Sequence, residues 1–89
     1  MFQKTSNRIY MNDEKGRMIA EITFPETSPG IFTINHTYVD HSLRGQGIAS
    51  QLVQTAVEEI RSRGGEVRAT CSYAASWLEK NLFLDFLGL

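Results

Sequence analysis

With 89 residues, 42% of them hydrophobic and 21% charged, and a formal net charge of −1, the chain is expected to form a single small domain over residues 1–89 with a thin core. Its balanced charge, with no basic stripe or long run of one sign, argues against nucleic acid and membrane surfaces as partners. The single cysteine excludes an internal disulfide framework and a multi-cysteine zinc site, and the two histidines add no ligand spacing, so no metal is expected.

Arg8 to Asn12 reads as a short strand. Asp13-Glu14-Lys15-Gly16 is polar and ends in glycine, as a hairpin turn should. Arg17 to Phe24 alternates, with Met18, Ala20, Ile22 and Phe24 on one face and Glu21 and Thr23 on the other. Pro25, Ser28, Pro29 and Gly30 mark a loop. Ile31 to Val39, rich in β-branched and aromatic residues, predicts one further strand. Phe32, Ile34, His36 and Tyr38 would share a face of it. From Gly47 to Arg63 the period becomes helical, with Ala49, Leu52, Val53, Ala56, Val57 and Ile60 on one side. Gly64-Gly65 closes that helix. Glu66 to Cys71 predicts a short strand, and a second helix is expected from about Ser72, acting as its cap, to about Asn81. A strand, a helix and a strand in this order place two parallel strands side by side. The expectation is therefore an α/β (α+β) architecture: a mixed, mostly antiparallel sheet with two helices.

The junction between the third strand and the first helix, Leu43-Arg44-Gly45-Gln46-Gly47-Ile48-Ala49, carries the chemistry. The first N–H groups of a helix have no partner inside it, and the helix dipole adds positive character there. Gly45 and Gly47 lack a Cβ, so a ligand can approach the backbone closely. A phosphate-bearing ligand follows. The run is not a Walker loop, and Ser50 stands where a dinucleotide fingerprint needs its third glycine or alanine.

The run Arg44-Gly45-Gln46-Gly47-Ile48-Ala49, set between a strand and an amphipathic helix, resembles the Arg-x-x-Gly-x-Ala form of the acyl-CoA-binding signature of the GNAT superfamily of N-acetyltransferases. The chain is similar to the small, single-domain GNAT-like proteins from about Arg8 to Asn81. The resemblance implies a minimal GNAT-like fold and a cosubstrate, acetyl-CoA. The backbone of Arg44, Gly45, Gln46, Gly47, Ile48 and Ala49 would cradle its diphosphate. The strand edge at Tyr38 and Val39 would bond its pantetheine arm. The implied activity is transfer of acetyl to an amine acceptor. Two departures from the resemblance stand out. Larger members carry helices between their first two strands, where this chain has only the Glu14-Lys15-Gly16 turn. Where many members have an acid tyrosine on the last helix, matching Ala74 puts Trp77 and Leu78 at the aromatic-tyrosine pair, and leucine has no proton to give.

Cys71, where a strand meets a helix, is the candidate catalytic residue. A thiol near a helix N-terminus has a lowered pKa and can accept an acyl group or protonate a thiolate; a structural half-buried cysteine is its ordinary alternative. His36 is a candidate base if its face lines the cleft, and otherwise a core histidine bonded to backbone. His41 is expected to be an exposed loop residue. Tyr73 and Trp77, four apart, would wall the cleft, Tyr73 as a donor and Trp77 chiefly as core. The apolar stretch Leu82 to Leu89 is too short to span a bilayer and is read as covering the sheet or mediating self-association, which leaves a monomer or a weak homodimer. The start, Met1-Phe2-Gln3-Lys4, shows no secretory signal, so a cytoplasmic location is expected. A CoA-binding sensor or adaptor without turnover is the alternative function.

Overall fold

Alternating apolar and polar residues build an antiparallel meander. In the computed structural model, which describes residues 2–86 and side chains as far as Asn81, the first strand, β1 (Gln3–Lys4), pairs with β2 (Arg8–Asn12), and β2 pairs with β3 (Met18–Thr23). The turn between β2 and β3 is held by Asp13. Its Oδ1 accepts from the N–H groups of Lys15 and Arg17, each at 2.9 Å. The register sets Ile9 opposite Ile22 and Met11 opposite Ala20 on one face, with Arg8 opposite Thr23 and Tyr10 opposite Glu21 on the other.

The expected loop after Phe24 contains a short strand, β4 (Glu26–Ser28), paired antiparallel with β5 (Ile31–Ile34). The expected single strand from Ile31 to Val39 is in fact two, β5 and β6 (His36–Val39), broken at Asn35. Asn35 leaves the ladder because its N–H goes to the Thr23 carbonyl at 3.2 Å and its Oδ1 accepts from the Thr23 hydroxyl at 2.5 Å. That extra residue reverses the side-chain alternation. Phe32 and Ile34 stay buried, but His36 and Tyr38 are exposed instead of sharing their face.

The break also divides the sheet. One sheet runs β1-β2-β3-β6, with β6 antiparallel to β3; the other runs β4-β5-β7, with β7 (Glu66–Ala69) parallel to β5. The parallel strand–helix–strand unit is as expected, but β7 ends at Ala69 rather than Cys71. The last bonds across the pair are from the Thr70 and Cys71 N–H groups to the Ile34 carbonyl, at 3.0 and 3.3 Å. Beyond them β6 turns to β3. The outer edges of β6 and β7 are thus left to border a gap.

Helix α1 (Ile48–Ser62) buries Leu52, Val53, Ala56, Val57 and Ile60. They pack with Ile9, Ala20, Ile22, Phe24 and Ile34 in one core cluster. Each such large side chain contributes about 1.5–3 kcal/mol by leaving water. Helix α2 (Ser72–Phe86) adds Ala74 and Leu78 to the same core. It runs past the expected Asn81. Its cap is Cys71 and not Ser72, because the Cys71 carbonyl takes the first helical bond, from the Ala75 N–H at 2.9 Å. The proposed role of the apolar stretch Leu82 to Leu89 lies outside the residues whose side chains are described.

Candidate functional site: the cleft between the two helix starts

A short 3-10 turn, His41–Leu43, leads into α1. Asp40 organises it: its carboxylate accepts from the Ser42 N–H at 3.0 Å and the Ser42 hydroxyl at 2.6 Å, and from the Tyr38 hydroxyl at 3.2 Å. The Ser42 contacts hold the Asp40 carboxyl below its ordinary value, and the bond to Asp40 raises the Tyr38 phenol. The Arg44 N–H is bonded to the His41 carbonyl at 3.2 Å, so it does not belong to the expected donor set. Among the described residues, no protein acceptor takes the N–H groups of Gly45, Gln46, Gly47, Ile48, Ala49 or Ser50. The donor set is therefore shifted one residue along the chain.

Gly45 and Gly47 are needed for the path of the backbone as well as for access. Their φ values are 82° and 73°, in the left-handed region that side chains with a Cβ resist. A Cβ built on either would meet nothing within 4 Å. Gly47 is the N-cap of α1 and offers no side chain to bond the first turn. Those N–H groups therefore open to the solvent side of a cleft of about 440 Å³.

That cleft brings together Val39, Arg44, Gly45, Gly47, Ile48 and Ala49 from the expected binding set. Gln46 is exposed and does not line it. The Tyr38 side chain also stays out, because strand alternation turns it to the opposite face of β6, where it meets Asp40. Its backbone faces β3 as well, since the register that bonds the Asp40 N–H to the Ile19 carbonyl pairs Tyr38 with Glu21; the backbone groups on the unpaired edge are those of Thr37 and Val39. Thr37, Leu43, Ser50 and Tyr73 complete the described lining, and no carboxylate is among the described lining residues. Unpaired amides, one arginine and no acid suit a diphosphate. A second concavity, about 550 Å³, lies by the Asp13 turn. It offers no comparable donor set, since Asp13 is already engaged in closing that turn.

Across the gap stands Cys71, half-buried, with Sγ donating to Thr37 Oγ1 at 3.6 Å. Burial works to raise its pKa. The Ala74 N–H, the Thr37 hydroxyl and the Tyr73 N–H outweigh burial, and the thiol lies below its ordinary value. Tyr73 and Ala74 are the second and third residues of α2, the positions whose N–H groups an N-cap side chain satisfies. The Thr37 hydroxyl accepts from the thiol and can rotate to donate to the thiolate.

His36 is neither a core histidine nor a partner of Cys71. Its side chain is 51% exposed on the face opposite Thr37, and its Nε2 lies 3.3 Å from Glu21 Oε1. Glu21, only 16% exposed, also pairs with Arg8, whose guanidinium stacks 3.9 Å above the Tyr10 ring. Trp77 is not simple core either: its indole N–H donates to Ser50 Oγ at 2.9 Å, tying α2 to α1.

A strand edge beside an uncapped helix start, with a parallel pair that separates there, is the arrangement that the Arg-Gly run implied. Residues 8–85 match the GCN5-related N-acetyl-transferase family. The chain belongs to this family. The solution structure of a GCN5-like protein from Staphylococcus aureus matches with a TM-score of 0.75 at 32% identity, over 91% of this chain and 79% of that one. Two further likenesses concern the fold alone. A GNAT-family N-acetyltransferase from Escherichia coli, in complex with CoA, has a TM-score of 0.57 at 24% identity, over 65% of this chain and 35% of its own. An IAA acetyltransferase from Bacillus cereus has 0.64 at 22% identity, over 82% and 51%. No curated protein matches the sequence.

The GNAT architecture is here reduced on one side. β2 and β3 are joined by the Asp13–Gly16 turn alone. Leu78 is 8% exposed and packed in the core, and it is not among the described residues that line the cleft. Tyr73 is 43% exposed and is the hydroxyl on α2 that lines the cleft.

Proposed function

We propose that the protein is an acetyl-CoA-dependent N-acetyltransferase acting on an amine. The observation that carries this reading is the cleft itself: six unpaired amides from Gly45 to Ser50 at the start of α1, beside the open edge of β6. Acetyl-CoA, when bound, supplies the acetyl group as a thioester. Gly45 to Ser50 would hold its diphosphate, with Arg44 adding a charge-assisted contact. The backbone of Val39 on the free edge of β6 would bond the pantetheine arm as a peptide bonds a sheet edge, whereas that of Tyr38 is paired with Glu21 of β3.

In the net reaction a C–N bond forms to the amine as the C–S bond of the thioester breaks. The amine gives up a proton and the CoA sulfur gains one. Cys71, which stands behind the cleft residue Thr37, is the group suited to carry it, since its Sγ donates to the Thr37 hydroxyl and its thiolate is favoured by α2. The same thiolate is suited to take the acetyl group first, as a thioester on Cys71, before the amine receives it. His36 sits on the other face of β6 with Glu21, so its imidazole would serve an amine arriving from that side.

Calorimetry with CoA and acetyl-CoA tests the binding half; absence of heat at millimolar ligand would remove the proposal. Release of free CoA thiol across a panel of amines tests turnover. A second reading, a CoA-binding module without transfer, is favoured by the burial of Leu78 and by the bare β2–β3 turn. Mass spectrometry of Cys71 separates the two. An acetyl adduct that disappears when amine is added supports the transferase, and binding without any transfer supports the module.

A further inference from the structure

The strand register lays out the face of the sheet turned away from α1. Arg8, Thr23 and His36 form one cross-strand row, and Tyr10, Glu21 and Tyr38 form the next. Residues two apart on a strand share a face. Both rows therefore stand together, on the side opposite Ile9, Ala20 and Ile22, which pack in the core with α1. Glu21 is at the centre and sends one oxygen to each flank. Its Oε2 accepts from Arg8 Nε on the β2 side, and its Oε1 lies 3.3 Å from His36 Nε2 on the β6 side. On the β2 flank this arrangement holds a cation: the guanidinium that bonds Glu21 also lies 3.9 Å from the centroid of the Tyr10 ring. A carboxylate beside an aromatic face suits an organic cation.

The β6 flank repeats those parts with the cation left out. Tyr38 stands as far from Glu21 in the row as Tyr10 does, and His36 precedes Tyr38 on β6 as Arg8 precedes Tyr10 on β2. A guanidinium is always charged, whereas an imidazole can be neutral near neutral pH. Among the described residues no lysine or arginine lies over the Tyr38 ring, although that residue is 38% exposed. A second carboxylate, Asp40, accepts from the Tyr38 hydroxyl. Arg17 and Arg44 are in electrostatic range of Tyr38, but Arg17 is paired with Asp13 and Arg44 lines the cleft. Ile19 is buried yet stands outside the core cluster, and its carbonyl takes the Asp40 N–H at 2.7 Å. Alternation puts Ile19 on the Glu21 face, as an apolar floor beside Tyr38.

We propose that Tyr38, Glu21 and Asp40 form a recognition site for a primary alkylammonium group, the charged form of the acceptor amine. The inference deepens the transferase reading and rests on it for the purpose of the site. The ring face and the two carboxylates hold the charge, and Ile19 carries the alkyl stem. His36, beside Tyr38, takes a proton from the ammonium nitrogen onto its imidazole, which leaves the nitrogen lone pair free to attack. The site borders the cleft because Thr37 and Val39, which alternate with His36 and Tyr38 on β6, line it. Arg8 is a built-in competitor that draws Glu21 towards the β2 flank.

The experiment is an NMR titration with n-butylammonium, with a doubly capped Gly-Lys-Gly peptide, and with n-butanol, which matches the alkyl chain and lacks the charge. Side-chain signals of Tyr38, Glu21 and His36 should shift with the ammonium probes and stay still with butanol. The tighter of the two probes tells whether the group arrives on a small molecule or on a polypeptide. Tyr38→Leu keeps apolar bulk but loses the ring face, and should weaken the ammonium about two- to fivefold. Tyr38→Phe keeps the ring and should bind like wild type. Glu21→Gln should weaken binding roughly tenfold. Arg8→Met keeps an apolar stem and removes the competing cation, so it should tighten binding about twofold. A row that served only the fold would give no such gain. Signals moved no more by either ammonium probe than by butanol, or an Arg8→Met protein that binds no tighter than wild type, overturns the inference. CoA calorimetry is read separately: failure to bind CoA removes the transferase reading, whereas the ammonium titration alone decides the site.

Discussion

Two helices begin at the same cleft, and they treat their unpaired amides in opposite ways. At α1 the cap is Gly47, which offers no side chain, and the N–H groups around it stay open. At α2 the cap is Cys71, whose thiolate is favoured by the N–H groups of Tyr73 and Ala74. The physics is common to both: the first turn of a helix carries donors that the helix cannot use. One start leaves them open, and the other uses them to favour an anion on the protein itself. The proposed phosphate site and the polarised thiol thus come from one device, both bordering the gap between β6 and β7.

The largest expected effect comes from closing the open start. Gly47 has φ 73°, so Gly47→Val forces a β-branched residue into the left-handed region at a cost of about 1–3 kcal/mol. It also places methyl groups over the amides. CoA affinity should fall more than tenfold by calorimetry, with a lower Tm. Gly47→Asn tolerates the same φ and should keep the Tm close to wild type while weakening CoA less. Equal CoA affinity in all three proteins would mean that the α1 start does not hold the diphosphate.

The second start is tested by separating its cap from its chemistry. Cys71→Ala removes the cap and should destabilise the fold by about 1 kcal/mol. Cys71→Ser restores an N-cap oxygen and should recover most of that stability. Neither should change CoA affinity much, since the proposed diphosphate site is at α1. Any acetyl adduct must vanish in both. If Cys71→Ser proves as unstable as Cys71→Ala, the thiol is held by packing and not by the α2 amides. A smaller effect concerns the pH at which the thiol reacts. The lowered Cys71 pKa means that alkylation by iodoacetamide reaches its plateau at lower pH than for an unstructured peptide with the same cysteine. Thr37→Val, which removes one of the stabilising donors, should move that midpoint back up.

How much of this was legible in the sequence follows from the range of the interactions involved. The period of α1 and the alternation of β3 are local, and both elements stand where the pattern put them. The Arg-Gly run was legible because strand, turn and helix are consecutive. The break at Asn35 was not, because it depends on Thr23, twelve residues away, which captures both the Asn35 N–H and its side chain. His36 and Tyr38 were assigned to the wrong face for that reason alone. The donor set was one residue out because the 3-10 turn after Asp40 takes up the Arg44 N–H. Asp40 followed two residues later by Ser42 was the available signal for that turn. The cap of α2 was assigned to Ser72, since serine is the commoner cap. Thr37 and Ser50 carry no mark of their own; each is defined by a partner from α2 or its cap, Cys71 and Trp77.

The smallest effect belongs to the loop that sets up the open start. Asp40 lies at the surface and is partly exposed, so its contacts order residues 41–44 more than they stabilise the whole fold. Its carboxyl is depressed by the Ser42 hydroxyl and N–H. A depressed folded-state value means that its ordering effect is complete above the unfolded carboxylate value of about 3.9 and is lost as the pH falls through the lower, folded value. Acid titration followed by amide NMR should therefore move the Ser42 signal in that window while the signals of α1 beyond Leu52 stay in place. Asp40→Ala should abolish the transition and loosen the turn at neutral pH, lowering CoA affinity only a few-fold. The reason is geometric: the amides of Gly45 to Ser50 remain, but the turn that aims them is less often formed. A loss as large as that of Gly47→Val would mean that the 3-10 turn, and not the uncapped helix start, is the principal holder of the ligand.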